Sequence, residues 1–123
     1  MSTPARPAPA CDLRVDVGRE QDRVRLALRG ELDLASSPIL EDAVSRACTQ
    51  GASELVLDIG ELTFIDSTGL RAILTSKTNC EHAGCSFAVA PAPDDVRPQV
   101  RRLLQVTGLL ARLPFGAEDD PAA

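Results

Sequence analysis

Hydrophobic and polar residues alternate twice near the start of the chain. Leu13, Val15 and Val17 alternate with Arg14 and Asp16, and Val24, Leu26 and Leu28 with Arg25 and the small Ala27. A period of two puts one side-chain set on each face of a strand, so both runs predict strands with one buried face. The polar stretch Gly18 to Asp22 predicts the loop of an antiparallel hairpin. After Gly30-Glu31-Leu32-Asp33-Leu34 the period changes. Ile39, Leu40, Ala43, Val44 and Ala47 recur at helical spacing. Ser37 before Pro38 predicts the helix start, because Ser caps and Pro suits the first turn. Glu41 and Asp42 are expected to favour the positive end of its dipole, and Gly51 to end it.

Leu55-Val56-Leu57-Asp58-Ile59 is nearly continuous in apolar character and too short for a helix, which predicts a central strand buried on both faces. Leu70, Ile73 and Leu74 open a second amphipathic helix ending near Gly84. Cys85 to Val89 predicts a further strand, broken by Pro91 and Pro93. A third helix carries Val96, Val100, Leu103 and Leu104, with Asp94 or Asp95 as its cap and Gly108 at its close. Leu110 to Leu113 predicts a short edge strand. Strands alternating with helices imply parallel crossovers, and the leading hairpin adds an antiparallel pair. The expected fold is α/β, with a mixed sheet of four to five strands. Residues 1–11, with Pro4, Pro7 and Pro9, predict a flexible tail, 12–115 the folded domain, and 116–123 a short acidic tail.

Composition narrows the functional classes. Of 123 residues, 44% are hydrophobic and 25% charged, as in a soluble globular domain. The formal net charge of −5 argues against binding a phosphate backbone, and three Phe without Trp or Tyr provide little for base stacking. The sequence contains no apolar run of membrane-spanning length, and residues 1–10 lack the apolar core of an export signal. The expectation is a cytoplasmic protein without direct nucleic-acid or membrane contact and without a cofactor.

The enzyme signals are weak. Ser67 has no base in prospect, since the sole His, His82, lies at the far end of the same predicted helix. There is no nucleophile elbow and no phosphate-binding loop with Lys. Cys80, His82 and Cys85 offer a three-ligand metal or redox reading, but lack the tight Cys pairs of a structural zinc site. The alternative is that these Cys are small buried hydrophobes. Arg97, Arg101 and Arg102 form a basic cluster that suits a solvated face or an acidic partner. The most unusual segment is Phe64-Ile65-Asp66-Ser67-Thr68-Gly69-Leu70. It sets two hydroxyls and a carboxylate where a strand meets a helix start, a junction at which α/β sheets bind ligands and phosphates. Helix capping by Asp66 or Ser67 would explain the same residues.

Gly30-Glu31-Leu32-Asp33-Leu34-Ala35-Ser36, followed by Asp66-Ser67-Thr68-Gly69-Leu70-Arg71, resembles the STAS domain of bacterial anti-sigma factor antagonists. Val100 to Leu110 resembles the third helix of that family, so the likeness covers about 12–115. The resemblance implies a non-enzymatic protein that binds an anti-sigma factor, itself an ATP-dependent Ser kinase, and so frees a sigma factor. It implies phosphorylation of Ser67, with Thr68 as the alternative, which breaks the partnership until a separate phosphatase resets it. By the same resemblance Asp33, Asp66, Ser67, Thr68 and Gly69 belong to the partner surface. Asp33 is expected on an exposed loop whose loss leaves stability nearly unchanged. The rival within the fold is a STAS subunit of a transporter or a stress-signalling scaffold. The rival outside it is the metal or redox protein using Cys80, His82 and Cys85.

Overall fold

The computed structural model describes residues 12–115; both expected tails, and Cys11, lie outside the described residues. The hairpin is longer and tighter than the alternation alone implies. Strand β1 (Leu13–Glu20) pairs antiparallel with β2 (Arg23–Leu32) right up to Glu20 opposite Arg23. Only Gln21 and Asp22 make the turn, and Gln21 takes a positive φ of 59°. Gly18 to Glu20, expected as loop, are therefore strand, because their backbone groups find partners in Arg23 to Arg25.

Two crossovers follow. Helix α1 (Ser37–Thr49) leads to β3 (Glu54–Ile65), and helix α2 (Ser67–His82) leads to β4 (Ser86–Ala90). The sheet runs β1-β2-β3-β4, with β2, β3 and β4 parallel. Four strands with one antiparallel pair agree with the expected mixed sheet. Helix α3 (Pro98–Val106) packs back on β3. Among the described residues no helix is long and apolar enough to cross a membrane.

One sheet face carries the core. Val24, Leu26, Leu28, Leu55, Leu57 and Ile59 are at most 1% exposed and meet Leu40 and Val44 of α1 and Ile73 of α2. On the opposite face Val56, Ala88 and Ala90 form a smaller buried cluster. Two ion pairs flank it, Arg23 Nε to Glu54 Oε1 at 3.4 Å and Arg25 Nη2 to Asp58 Oδ2 at 2.9 Å. Leu55, Val56 and Leu57 are thus buried on both faces, as their apolar run implies.

Several helix ends depart from expectation. Ser36, not Ser37, holds the N-cap position of α1, and its side chain bonds none of the helix's own N–H groups. The first turn of α1 carries no acid; Asp42 instead pairs with Arg46 one turn on, at 2.9 Å. Asp94 and Asp95 lie in a separate 3-10 turn, and Arg97 precedes α3 without a side-chain cap. Pro98 at the start of α3 explains the break, since it disfavours helical backbone in Arg97. The expected edge strand at 110–113 is not formed. Residues 109–111 make a 3-10 turn that buries Leu109 and Leu113, and Phe115 alone bridges to Val89 of β4.

Candidate functional site

The parallel pairing of β2 and β3 brings their C-terminal ends together, with Glu31 opposite Phe64 and Leu32 opposite Ile65. The loop from β2 into α1 and the start of α2 therefore share one end of the sheet. Asp66 follows β3 in extended backbone and caps α2. Its Oδ1 accepts the Gly69 N–H at 2.8 Å, and its carbonyl accepts the first helical bond from Leu70 at 3.0 Å. Ser67 and Thr68 are the first two helical residues, so their N–H groups have no carbonyl partner within the helix. Ser67 is exposed and Thr68 half-buried. Of the two capping candidates, Asp66 does the capping, which leaves the Ser67 hydroxyl outside the cap.

Gly69 is buried. A Cβ built on it would run into the Leu32 carbonyl and lie 2.9 Å from Ile65 Cγ1. The Leu32 backbone packs directly against Gly69, and the missing side chain seats α2 against the end of β2. The Asp66 N–H, donated to the Leu32 carbonyl at 3.2 Å, ties the same two segments.

The loop before α1 is a hydrogen-bonded bracket. Asp33 Oδ1 accepts the Ser36 N–H at 3.1 Å, while the Asp33 N–H is donated to Ser36 Oγ at 2.9 Å. The single Ser36 hydroxyl proton has the Glu31 carbonyl at 2.8 Å and Asp33 Oδ1 at 3.0 Å within reach. Ser37 donates its hydroxyl to the Asp33 carbonyl at 2.7 Å. Ser36 and Ser37 are 0% and 5% exposed. Asp33 is half-buried and hydrogen-bonded on both sides, which corrects the expectation of an exposed loop residue. Leu34 at the loop tip is 72% exposed.

Sequence reasoning missed the apolar surroundings. Phe64, 46% exposed, and Val106, 77% exposed, line a shallow groove with Ile65, Gln99, Arg102 and Leu103 between β3 and α3. Gln99 Nε2 donates to the Thr63 carbonyl at 2.9 Å and holds α3 there. The one available signal was Phe64 itself, an aromatic beside polar Thr63 in a chain with few aromatics. Two members of the basic cluster are engaged within the chain: Arg97 pairs with Glu61 at 3.1 Å and Arg101 with Asp94 at 3.7 Å.

The metal reading changes composition. His82 is exposed and stands outside the one sulfur cluster among the described residues. Cys48, distant in sequence, takes its place: the sulfurs of Cys48, Cys80 and Cys85 lie within 4.8 Å of one another.

Comparison with known proteins gives the family and the fold. Residues 14–113 match the family model described as Mlab, STAS domain. The anti-sigma F factor antagonist of Paenibacillus polymyxa is 31% identical over 105 residues, covering 85% of this chain and 86% of its own. An anti-sigma factor antagonist from Mycobacterium paratuberculosis superimposes with a TM-score of 0.72 at 24% identity, covering 89% of each chain. SpoIIAA, a Bacillus cell fate determinant and anti-sigma factor antagonist, has been solved unphosphorylated and phosphorylated. The two forms superimpose with TM-scores of 0.68 and 0.61, both at 23% identity, over 87% of this chain and 91% and 95% of theirs. The chain belongs to the STAS-domain family of anti-sigma factor antagonists.

Proposed function

We propose that this protein is a phosphorylation-switched antagonist. Unmodified, it binds an anti-sigma factor that is also an ATP-dependent Ser kinase, and the bound kinase releases its sigma factor. The end of the sheet holding Asp33, Leu34, Asp66 and Ser67 is the contact surface. The kinase transfers a phosphoryl group to the Ser67 oxygen, with Thr68 as the alternative acceptor, and a separate phosphatase restores the hydroxyl.

The observation that carries this reading is the exposed Ser67 hydroxyl at the first position of α2, not consumed by capping. Half-buried Thr68 is harder for a kinase to reach. The existence of SpoIIAA in both phosphorylation states supports a modification of this kind. Asp66 and Gly69 serve by position: one caps the helix that presents Ser67, the other seats it on β2. Phosphorylation adds a charge of about −1.5 to −2 at a surface the partner must cover. The partner then has to desolvate the new charge or meet it with a cation, and each tenfold loss of affinity needs only about 1.4 kcal/mol. Incubation with the cognate anti-sigma kinase and ATP, followed by mass spectrometry of peptides spanning 64–74, tests the assignment. Phosphate on Ser67 is the expected result; phosphate on neither Ser67 nor Thr68 would refute the switch.

A further inference from the structure

At the opposite end of α2 from Ser67, three thiols from three elements converge. Cys48 comes from the last turn of α1, Cys80 from the last turn of α2, and Cys85 from the turn leading into β4. Cys48 Sγ and Cys80 Sγ are 3.8 Å apart, and all three sulfurs fall within 4.8 Å of one another. Cys80 and Cys85 are 0% and 2% exposed, while Cys48 is half-buried and gives access. One central atom bonded to three sulfurs at about 2.3 Å holds them roughly 3.4–3.8 Å apart at pyramidal to tetrahedral angles. The Cys48–Cys80 separation lies at the upper end of that range before any ligand arrives, with the Cys85 sulfur within 4.8 Å of both.

We propose that Cys48, Cys80 and Cys85 form a three-sulfur site for one trivalent metalloid of the arsenite class. The coordination number selects this class over a divalent metal: the cluster offers three sulfurs, and among the described residues no fourth His, Cys, Asp or Glu joins it, whereas structural zinc takes four ligands. Burial and the neighbouring thiols push the Cys80 thiol well above the usual range. Burial likewise raises Cys85, and the nearby Glu54 carboxylate adds to it. Three thiolates around a divalent ion would leave one net negative charge beside Glu54 in a largely dry site. Trihydroxyarsenic condenses with three neutral thiols instead. Three S–H and three As–OH bonds break, three As–S bonds form, and three waters leave with no change of oxidation state and no net charge. The product ties the ends of α1 and α2 to the start of β4.

The test uses the fully reduced 123-residue chain carrying Cys11→Ser, with sodium arsenite as probe. The expected result is a single adduct heavier by one arsenic less three hydrogens, loss of all three thiols to alkylation, and a melting temperature that rises with arsenite concentration. Cys48→Ala, at the half-buried position, should weaken binding about tenfold or more, since it leaves a two-sulfur site. No adduct, an adduct that leaves one of the three thiols alkylatable, or unchanged affinity in Cys48→Ala would overturn the proposal. Zinc binding one-to-one more tightly than arsenite would overturn the trivalent assignment. The thiol count on the unsubstituted cluster decides the matter even where a Cys→Ala variant does not fold.

Discussion

Gly69 and Asp33 hold the candidate site together by backbone geometry rather than by bulk. Gly69→Ala forces a Cβ into the Leu32 carbonyl, so α2 must shift away from β2. We expect a loss of about 1–3 kcal/mol, the usual range for overpacking, measurable by urea denaturation. A stability unchanged within error would mean that the contact relaxes freely. Asp33 has two separable roles. Asp33→Ala removes the acceptor for the Ser36 N–H and should cost about 0.5–2 kcal/mol, as lost caps do. Asp33→Asn keeps an oxygen acceptor and loses the charge, so it should retain most of that stability while weakening the kinase complex. If Asp33→Asn binds the kinase as tightly as the parent, the Asp33 charge plays no part in recognition. Ser67→Ala leaves the Asp66 cap intact and should change stability by no more than about 0.5 kcal/mol, as exposed substitutions do. It should still bind the kinase and resist being switched off; phosphorylation at the parent rate would move the acceptor to Thr68.

The elements read most clearly where local pattern and tertiary structure agree. Alternation located β1 and β2, and helical spacing located α1 and α2. The end of β3 was not legible, because Gly60, Glu61 and Thr63 interrupt the apolar run that begins at Leu55. The strand survives there by bulging: Ala27 pairs with Asp58 but Arg29 with Glu61, and Gly30 with Leu62 but Glu31 with Phe64. Each shift inserts an extra β3 residue, breaks the period of two and carries the strand to Ile65. Ser67 thereby follows the sheet directly, without the intervening loop a strand ending at Ile59 implies. The motif itself was legible because its residues are contiguous. The Asp33 bracket and the Cys48 contact were not, since one depends on a local side-chain network and the other on α1 packing against α2. At this scale α2 also governs the response to modification. A phosphate on Ser67 meets unpaired N–H groups and the positive helix end, favourable by about 0.3–1 kcal/mol. Asp66 opposes it by about 1 kcal/mol per unit charge at 4 Å in water, about 1.5–2 kcal/mol for the phosphate before salt screening. The two partly offset and salt screens the remainder, so chemical denaturation of the phosphorylated and unmodified forms should give stabilities within about 1 kcal/mol of each other. At the other end of α2, the raised Cys80 and Cys85 thiols favour a folded state that keeps its protons. The unfolded chain ionises these thiols first, so stability should fall as pH rises above about 8.5. Cys85→Ala should flatten that alkaline decline; an equally steep decline would assign it to other groups.

For the whole molecule, the two sheet ends carry different chemistry on one rigid frame. Leu26, Leu28, Leu55 and Leu57 lock the strands under α1 and α2, so the loop at Asp33 and the start of α2 keep a fixed relation. On the proposed reading, one phosphate alters a surface held this way without remaking it, and the switch acts in partner recognition with the fold intact. The direct measurement is the dissociation constant of the anti-sigma kinase for the unmodified protein and for the protein phosphorylated stoichiometrically at Ser67, under identical salt. A loss of affinity of at least about tenfold, equivalent to about 1.4 kcal/mol, is the predicted result, with folding stability held nearly constant. Equal affinity of the two forms would contradict the switch, and a loss of affinity accompanied by unfolding would contradict its seat at the surface.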